Sequence, residues 1–234
     1  YNASFSYYDQ DGIVLASNYN RIQGRLGTTI RRNKLNINLT TNYSRATQQG
    51  SSPSQSQYSG MNNLFYSVWG YRPVTQPGVS ITSLLDNATD DGVDPTNDYR
   101  FNPIMSLNNE HRKNVTAYNQ FNGFLEYEFT KGLKLKVSGG YTIDNRRNEN
   151  FNNSKTRYGS PISNDKVNAT FATSERKTWL NENIMTYQVN LDRKHFINAL
   201  AGMTMQESVY EFNSMKTINI PNETLGMAGM WQGT

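Results

Sequence analysis

Three groups of residues in this chain carry side chains able to do chemistry. Asp86, Asp90, Asp91, Asp94 and Asp98 crowd one stretch, and carboxylates so gathered suit a hard cation such as calcium. The spacing lacks the glutamate at the twelfth position of an EF-hand loop, so it reads as a solvated acidic loop with Asp90, Asp91 and Asp94 as weak calcium candidates and no metal assigned. Phe65, Tyr66, Trp69, Tyr71 and Arg72 form the second group. Exposed aromatic faces stack on sugar rings or on apolar peptide side chains, and an arginine pairs with an acidic group, so these residues are the candidate ligand contacts. The bland alternative is that the same rings anchor their loop to a neighbouring rim or lid. The third group is a set of charges in alternating registers: Arg21, Arg25, Glu126, Glu128, Lys134 and Lys136.

Catalytic chemistry finds little to work with. There is no cysteine, which excludes a disulfide framework, a thiolate metal site and a cysteine nucleophile. His111 and His195 are the two imidazoles. No nucleophile elbow, phosphate loop, dinucleotide fingerprint or histidine metal motif occurs, so no enzyme activity and no cofactor are expected.

The elements that must position these groups are strands. From Val115 to Asn150 the chain reads as a hairpin of two long arms. Phe121, Gly123, Leu125, Tyr127 and Phe129 alternate with Gln120, Asn122, Phe124, Glu126 and Glu128. After Thr130, Lys131 and Gly132, Leu133, Leu135, Val137, Gly139, Tyr141 and Ile143 alternate with Lys134, Lys136, Ser138, Gly140, Thr142 and Asp144. A period of two puts all the apolar members on one face. Soluble strands usually run about 5 or 6 residues. An arm of about 11 residues at about 3.3 Å each, tilted about 40°, rises roughly 28 Å, enough to cross the apolar band of an outer membrane.

The same pattern recurs along the chain, predicting strands near 1–8, 19–31, 35–46, 116–129, 133–149, 179–191 and 195–211. Short turns fall at Arg32, Thr130 and Asp192, and the other connections, 9–18, 47–115, 150–178 and 212–234, are long and polar. Short turns on one side and long loops on the other predict an all-β fold, an antiparallel transmembrane β-barrel with periplasmic turns and extracellular loops. Tyr7, Tyr43 and Tyr141 sit toward the outer ends of their strands, and Tyr127 and Phe129 toward the inner ends, as interfacial girdles do. Arg21, Arg25, Glu126, Glu128, Lys134 and Lys136 then face the lumen, available to water or to whatever fills it.

Composition agrees. The 234 residues are 35% hydrophobic, with a mean hydropathy of −0.74. They contain no apolar run of the roughly 18 residues that a membrane helix requires, and a barrel needs none. The net charge is +4, and the 23 basic and 19 acidic residues are interspersed, which does not make a nucleic-acid surface. Asn38, Asn42, Asn87 and Asn114 begin glycosylation-type triplets, which chance in an Asn-rich chain explains. The chain opens at Tyr1 inside a strand pattern, and seven strands are an odd number for a bacterial barrel, so a piece of a larger wall is expected.

Several stretches also have a familiar wording: YYDQDGIV from Tyr7 to Val14, RIQGRL from Arg21 to Leu26, NPIMSLNN from Asn102 to Asn109, YEFTKGLK from Tyr127 to Lys134, NENIMTY from Asn181 to Tyr187 and HFINALAGMTMQES from His195 to Ser208. In this order they resemble the barrel of a SusC/RagA-type TonB-dependent outer-membrane transporter. The resemblance implies a barrel of about 22 strands filled by an N-terminal plug, coupled to the TonB complex and working with a SusD-like lipoprotein to import glycans or peptides. These residues would be a middle part of its wall, held in the lipid bilayer, with the plug absent from them. Two other readings remain at this point: a passive porin or structural surface barrel, and a soluble all-β carbohydrate-binding or adhesin domain.

Overall fold

A computed structural model describes residues 1–50, 64–71, 78, 101–191 and 195–234. Its strands are β1 (Asn2–Asp11), β2 (Asn18–Arg32), β3 (Leu35–Gln49), β4 (Glu110–Thr130), β5 (Leu133–Asn152), β6 (Asn168–Leu191) and β7 (His195–Thr217). They form one antiparallel sheet in sequence order, each strand paired with the next. The described residues also include the helices α1 (Leu64–Gly70) and α2 (Pro103–Asn109) between β3 and β4, and a 3-10 helix (Glu223–Gln232), kinked at Gly226, after β7.

The pairing register gathers the alternating residues onto two continuous faces. Leu39 stands opposite Thr28 and Gly123, Gly123 opposite Gly139, Leu125 opposite Val137, and Met185 opposite Leu135 and Ala201. Directly opposed residues share a face, so the apolar sets of consecutive strands merge into one sheet-wide surface. These side chains remain exposed, Leu26, Leu39, Phe121, Leu125 and Met203 among them.

The strands reach farther than the alternation predicts. β6 begins at Asn168 and not near 179, β4 at Glu110 and not near 116, β5 runs to Asn152 and β7 to Thr217. Beyond the apolar stretch both faces are polar, so the period of two fades, but ladder hydrogen bonds are made by the backbone and continue without it. The connection expected over 150–178 therefore shrinks to 153–167, and the one over 9–18 to 12–17, a tight turn in which Gly12 N–H donates to Ser17 O at 2.8 Å. The region expected as loop over 47–115 contains α1 and α2, and that over 212–234 contains the end of β7 and the 3-10 helix.

At the opposite end the turns are short. Asn33, at φ 52°, turns β2 into β3. Gly132, at φ 87°, turns β4 into β5 against a neighbour: a Cβ there would lie 2.0 Å from the Gln188 carbonyl oxygen. That close approach lets Gln188 N–H donate to Gly132 O at 2.8 Å, tying the turn to β6. Lys34 Nζ donates to Phe129 O at 3.0 Å and ties the neighbouring turn to β4.

The buried apolar cluster lies at the loop end of the sheet, where Phe151 and Ala169 pack with Ile220, flanked by Val167, Met227 and Met230. Polar groups lock the same region. Arg112 donates to Phe151 O at 3.2 Å and to Asn152 Oδ1 at 2.6 Å, Asn152 donates to Asn168 Oδ1 at 2.8 Å, and Asn168 donates to Tyr158 O at 2.8 Å. Ser154 donates through N–H and Oγ to the Glu223 carboxylate, and fully buried Thr156 receives Gly159 N–H at 3.0 Å. Burial pushes the Tyr158 phenol above its ordinary value, with Glu110 adding to this and Arg157 and Arg112 opposing it. Beside the cluster, burial acts to raise the Glu149 carboxyl, but a 3.2 Å hydrogen bond with His111 and the charge of Arg147 outweigh it and hold the group below its ordinary 4.5.

Three outcomes follow, each read in the whole protein. Gly132→Ala combines an unfavourable positive φ with a backbone clash, and is expected to reduce the folded fraction recovered after refolding, scored by heat-modifiable migration on gels. Phe151→Ala is expected to cost about 3–5 kcal/mol within the loop-end cluster, seen as faster hydrogen exchange and proteolysis over 153–167 with the wall intact. A depressed carboxyl stabilises the fold fully above the ordinary value and loses that contribution as pH falls through the depressed one. Hydrogen-exchange protection near residues 148–151, taken relative to the intrinsic rate at each pH, should therefore fall below pH 4.5 in the native protein, and Glu149→Gln should remove that pH dependence.

Candidate functional site

All six charges singled out from the sequence stand on the polar face of the wall, in two different settings. On β4 and β5 the register brings opposite charges together, with Glu126 opposite Lys136 and Glu128 opposite Lys134. Lys136 Nζ also lies 4.5 Å from the centroid of the Phe124 ring, and Glu128 accepts Gly132 N–H at 3.3 Å, so its carboxylate holds the short turn. Higher on the same face Arg146 pairs with Asp144 at 3.1 Å and Arg176 lies over Tyr210 at 5.2 Å. Charge on this half of the wall is balanced locally.

Arg21 and Arg25 stand apart from that balance. Both are on β2, where Arg21 lies between Tyr8 and Ala46, and Arg25 between Ser4 and Asn42. The remaining polar-face positions of β1 and β3 are Asn2, Ser6 and Gln10, and Asn36, Asn38, Thr40, Ser44 and Gln48. None is acidic, and among the described residues no carboxylate pairs with either arginine. Arg21 Nε is buried without a hydrogen-bond partner. The Tyr8 and Tyr19 rings meet edge to face beside it, with centroids 6.0 Å apart.

The aromatic group is built on α1. Phe65 and Trp69 are four residues apart, one helical turn, which places them on one side of the helix. Their ring centroids are 6.5 Å apart at 34°, and the rings are 48% and 77% exposed. Ser67 is buried, and its carbonyl accepts Tyr71 N–H at 2.9 Å, so the helix presents its rings outward over a seated side. Tyr66 is on the same helix. Arg72 lies outside the described residues, as do Asp90, Asp91 and Asp94; among the described residues no cluster of acids and imidazoles is arranged to hold a metal.

Helix α1 touches α2, whose position is set by Asn102. This side chain is 2% exposed and accepts the N–H groups of Ile104 and Met105, both at 3.1 Å, capping the helix that Pro103 begins. Asn109 at its other end accepts from Asn153 at 3.0 Å, tying α2 to the loop after β5. Sequence reasoning missed these positioning residues, along with Arg112, Asn152 and Asn168. The Asn-Pro start of NPIMSLNN was the one available signal, being the signature of a capped helix; the side-chain network has none, because its members come from four separate segments.

No family model matches the chain. Among curated proteins it is similar to TonB-dependent receptor P39 of Formosa agariphila, 25% identical over 93% of this chain and 19% of that protein. It is also similar to receptor P26 of the same organism, 27% identical over 97% of the chain and 21% of that protein. The chain thus spans about a fifth of the length of these relatives. Among solved structures it superposes on the RagAB peptide transporter with a TM-score of 0.70 at 19% identity, covering 99% of this chain and 25% of the transporter chain. Along nearly its whole length the chain is thus similar in sequence to TonB-dependent receptors, and its seven-stranded wall has the fold of the matching part of the RagAB chain.

Proposed function

We propose that this wall belongs to an outer-membrane importer of glycans or peptides, driven through the TonB complex and served by a SusD-like surface lipoprotein. The observation that carries the reading is the unbroken antiparallel ladder with one continuous apolar face, matched over 99% of its length by a chain of a peptide transporter. An apolar face of about 11 residues per strand suits a hydrocarbon band. Tyr43, Tyr141 and Trp179 stand near its outer edge, and Tyr127, Phe129 and Tyr187 near its inner edge. Trp179 donates from Nε1 to Glu207 at 2.8 Å, the wet end of an interfacial ring. β7 is exposed along nearly its full length, and further strands pair such an edge in a closed barrel.

The role of these residues is passage and recognition, and no catalytic step is assigned to them. The exposed Phe65 and Trp69 rings on α1 offer a stacking surface for an incoming ligand. The paired charges of β4 and β5 near the short turns face the position a plug occupies. The lipoprotein partner closes over the loop end, where the capped helix and the cluster around Phe151 supply a firm rim.

Recovery of the whole protein in the outer membrane with heat-modifiable migration, and uptake abolished by deleting TonB, are the expected results. Recovery as a detergent-independent soluble protein would sink the reading, and uptake insensitive to TonB would make the barrel a passive pore. Replacing Phe65 and Trp69 together by Ala is expected to weaken ligand binding about tenfold, equal to about 1.4 kcal/mol. The measurement is made on protein that still reaches the membrane.

A further inference from the structure

The sheet is charge-balanced on one side and not on the other. On β4 and β5 each acid has a base beside it, whereas on the polar face of β1, β2 and β3 the charged residues are Arg21, Arg25 and Arg31, with no acid among the positions in register with them. In a low-dielectric wall such an uncompensated field is focused into the lumen and attracts anions.

The height of the two outer arginines separates a ligand from a plug. On β2 the apolar face ends at Ile22, and Arg21 is its neighbour, while the short turn into β3 lies beyond Arg32. Twelve residues at about 3.3 Å place Arg21 roughly 40 Å along the strand from that turn, at the loop end. Arg25 follows about 13 Å further in. An anion entering from the loop side meets Arg21 first and Arg25 next.

The neighbours indicate what carries the anion. Around the arginines stand amides and hydroxyls, Ser4, Gln10, Gln23 and Asn42 among them, each able both to donate and to accept. Asn42 already donates to Gln120 at 3.0 Å, extending the amide surface onto β4. Tyr8 donates to Gln10 at 2.6 Å and packs on Tyr19, leaving ring surface 46% exposed beside Arg21. Ring edges, dense donor and acceptor pairs and a planar guanidinium fork match a hydroxylated ring bearing a carboxylate.

We infer that the polar face of β2, through Arg21 and Arg25 with Tyr8 and Tyr19 beside them, is a lumenal binding site for an acidic oligosaccharide carrying carboxylates. This deepens the importer reading and rests on it.

The test uses the full-length protein in detergent and in proteoliposomes, with oligogalacturonate as probe, its fully methyl-esterified form as the uncharged match and a short oligoglutamate as the acidic peptide. The expected result is binding of oligogalacturonate at least tenfold tighter than its ester and than oligoglutamate. Arg21→Gln and Arg25→Gln should each erase most of that preference, whereas Arg31→Gln, near the short turn, should change affinity less than twofold. Equal affinity for acid and ester, or preference for oligoglutamate, overturns the inference. So does loss of folded protein in the Arg21 and Arg25 variants with unchanged affinity per folded molecule, since the arginines then serve an acidic face of the protein itself. Binding as expected without TonB-dependent uptake counts against the importer reading alone and leaves the site standing.

Discussion

A strand in hydrocarbon has no water to satisfy its N–H and C=O groups, so every one must find a partner on a neighbouring strand. That requirement is met here by a ladder in which each of seven strands pairs with the next in chain order. The other features hang on it. The ladder decides which residues are opposite one another, and opposition decides which residues share a face. It also forces tight closures at one end, where Gly132 must adopt a positive φ under the Gln188 carbonyl.

The two faces obey different rules. In the importer proposed above, a charge on the apolar face would meet lipid, and Glu207 on that face is hydrogen-bonded to Trp179. On the polar face charge is allowed, and its distribution becomes informative. Setting Glu126 opposite Lys136 and Glu128 opposite Lys134 balances charge near the short turns, and Glu128 is further used to hold Gly132. Arg21 and Arg25 are left among amides and hydroxyls, and the Nε of Arg21 is buried with no hydrogen-bond partner.

Away from the band the protein is held by another kind of interaction. Phe151, Ala169 and Ile220 make a small apolar cluster, and the chain Arg112, Asn152, Asn168 and Tyr158 carries hydrogen bonds from β4 across β5 and β6 into the loop they enclose. Small clusters of this kind stiffen a rim without a large core. The capped helix α2 is joined to the same rim through Asn109 and Asn153, and α1 with its exposed rings rests against α2.

Local chemistry in the chain determined a good deal. Period-two alternation assigned each residue of the apolar stretches to a face, because only one arrangement keeps Leu35, Ile37 and Leu39 together, and Gly132 marked a turn by its freedom at positive φ. That the six charges share the polar face was legible for the same reason. The tertiary structure alone decided where strands stop, since beyond the band backbone pairing persists without a side-chain pattern to announce it. It decided that Glu128 holds a turn and that the β4 and β5 charges stand opposite one another, which depend on register between arms. It also decided that no acid of β1 or β3 stands in register with Arg21 or Arg25, a property of three adjacent strands. Residues acting through contacts across 31 to 69 positions, from Asn18 with Gln49 to Ser154 with Glu223, leave no local trace in the sequence because their partners are chosen by the fold.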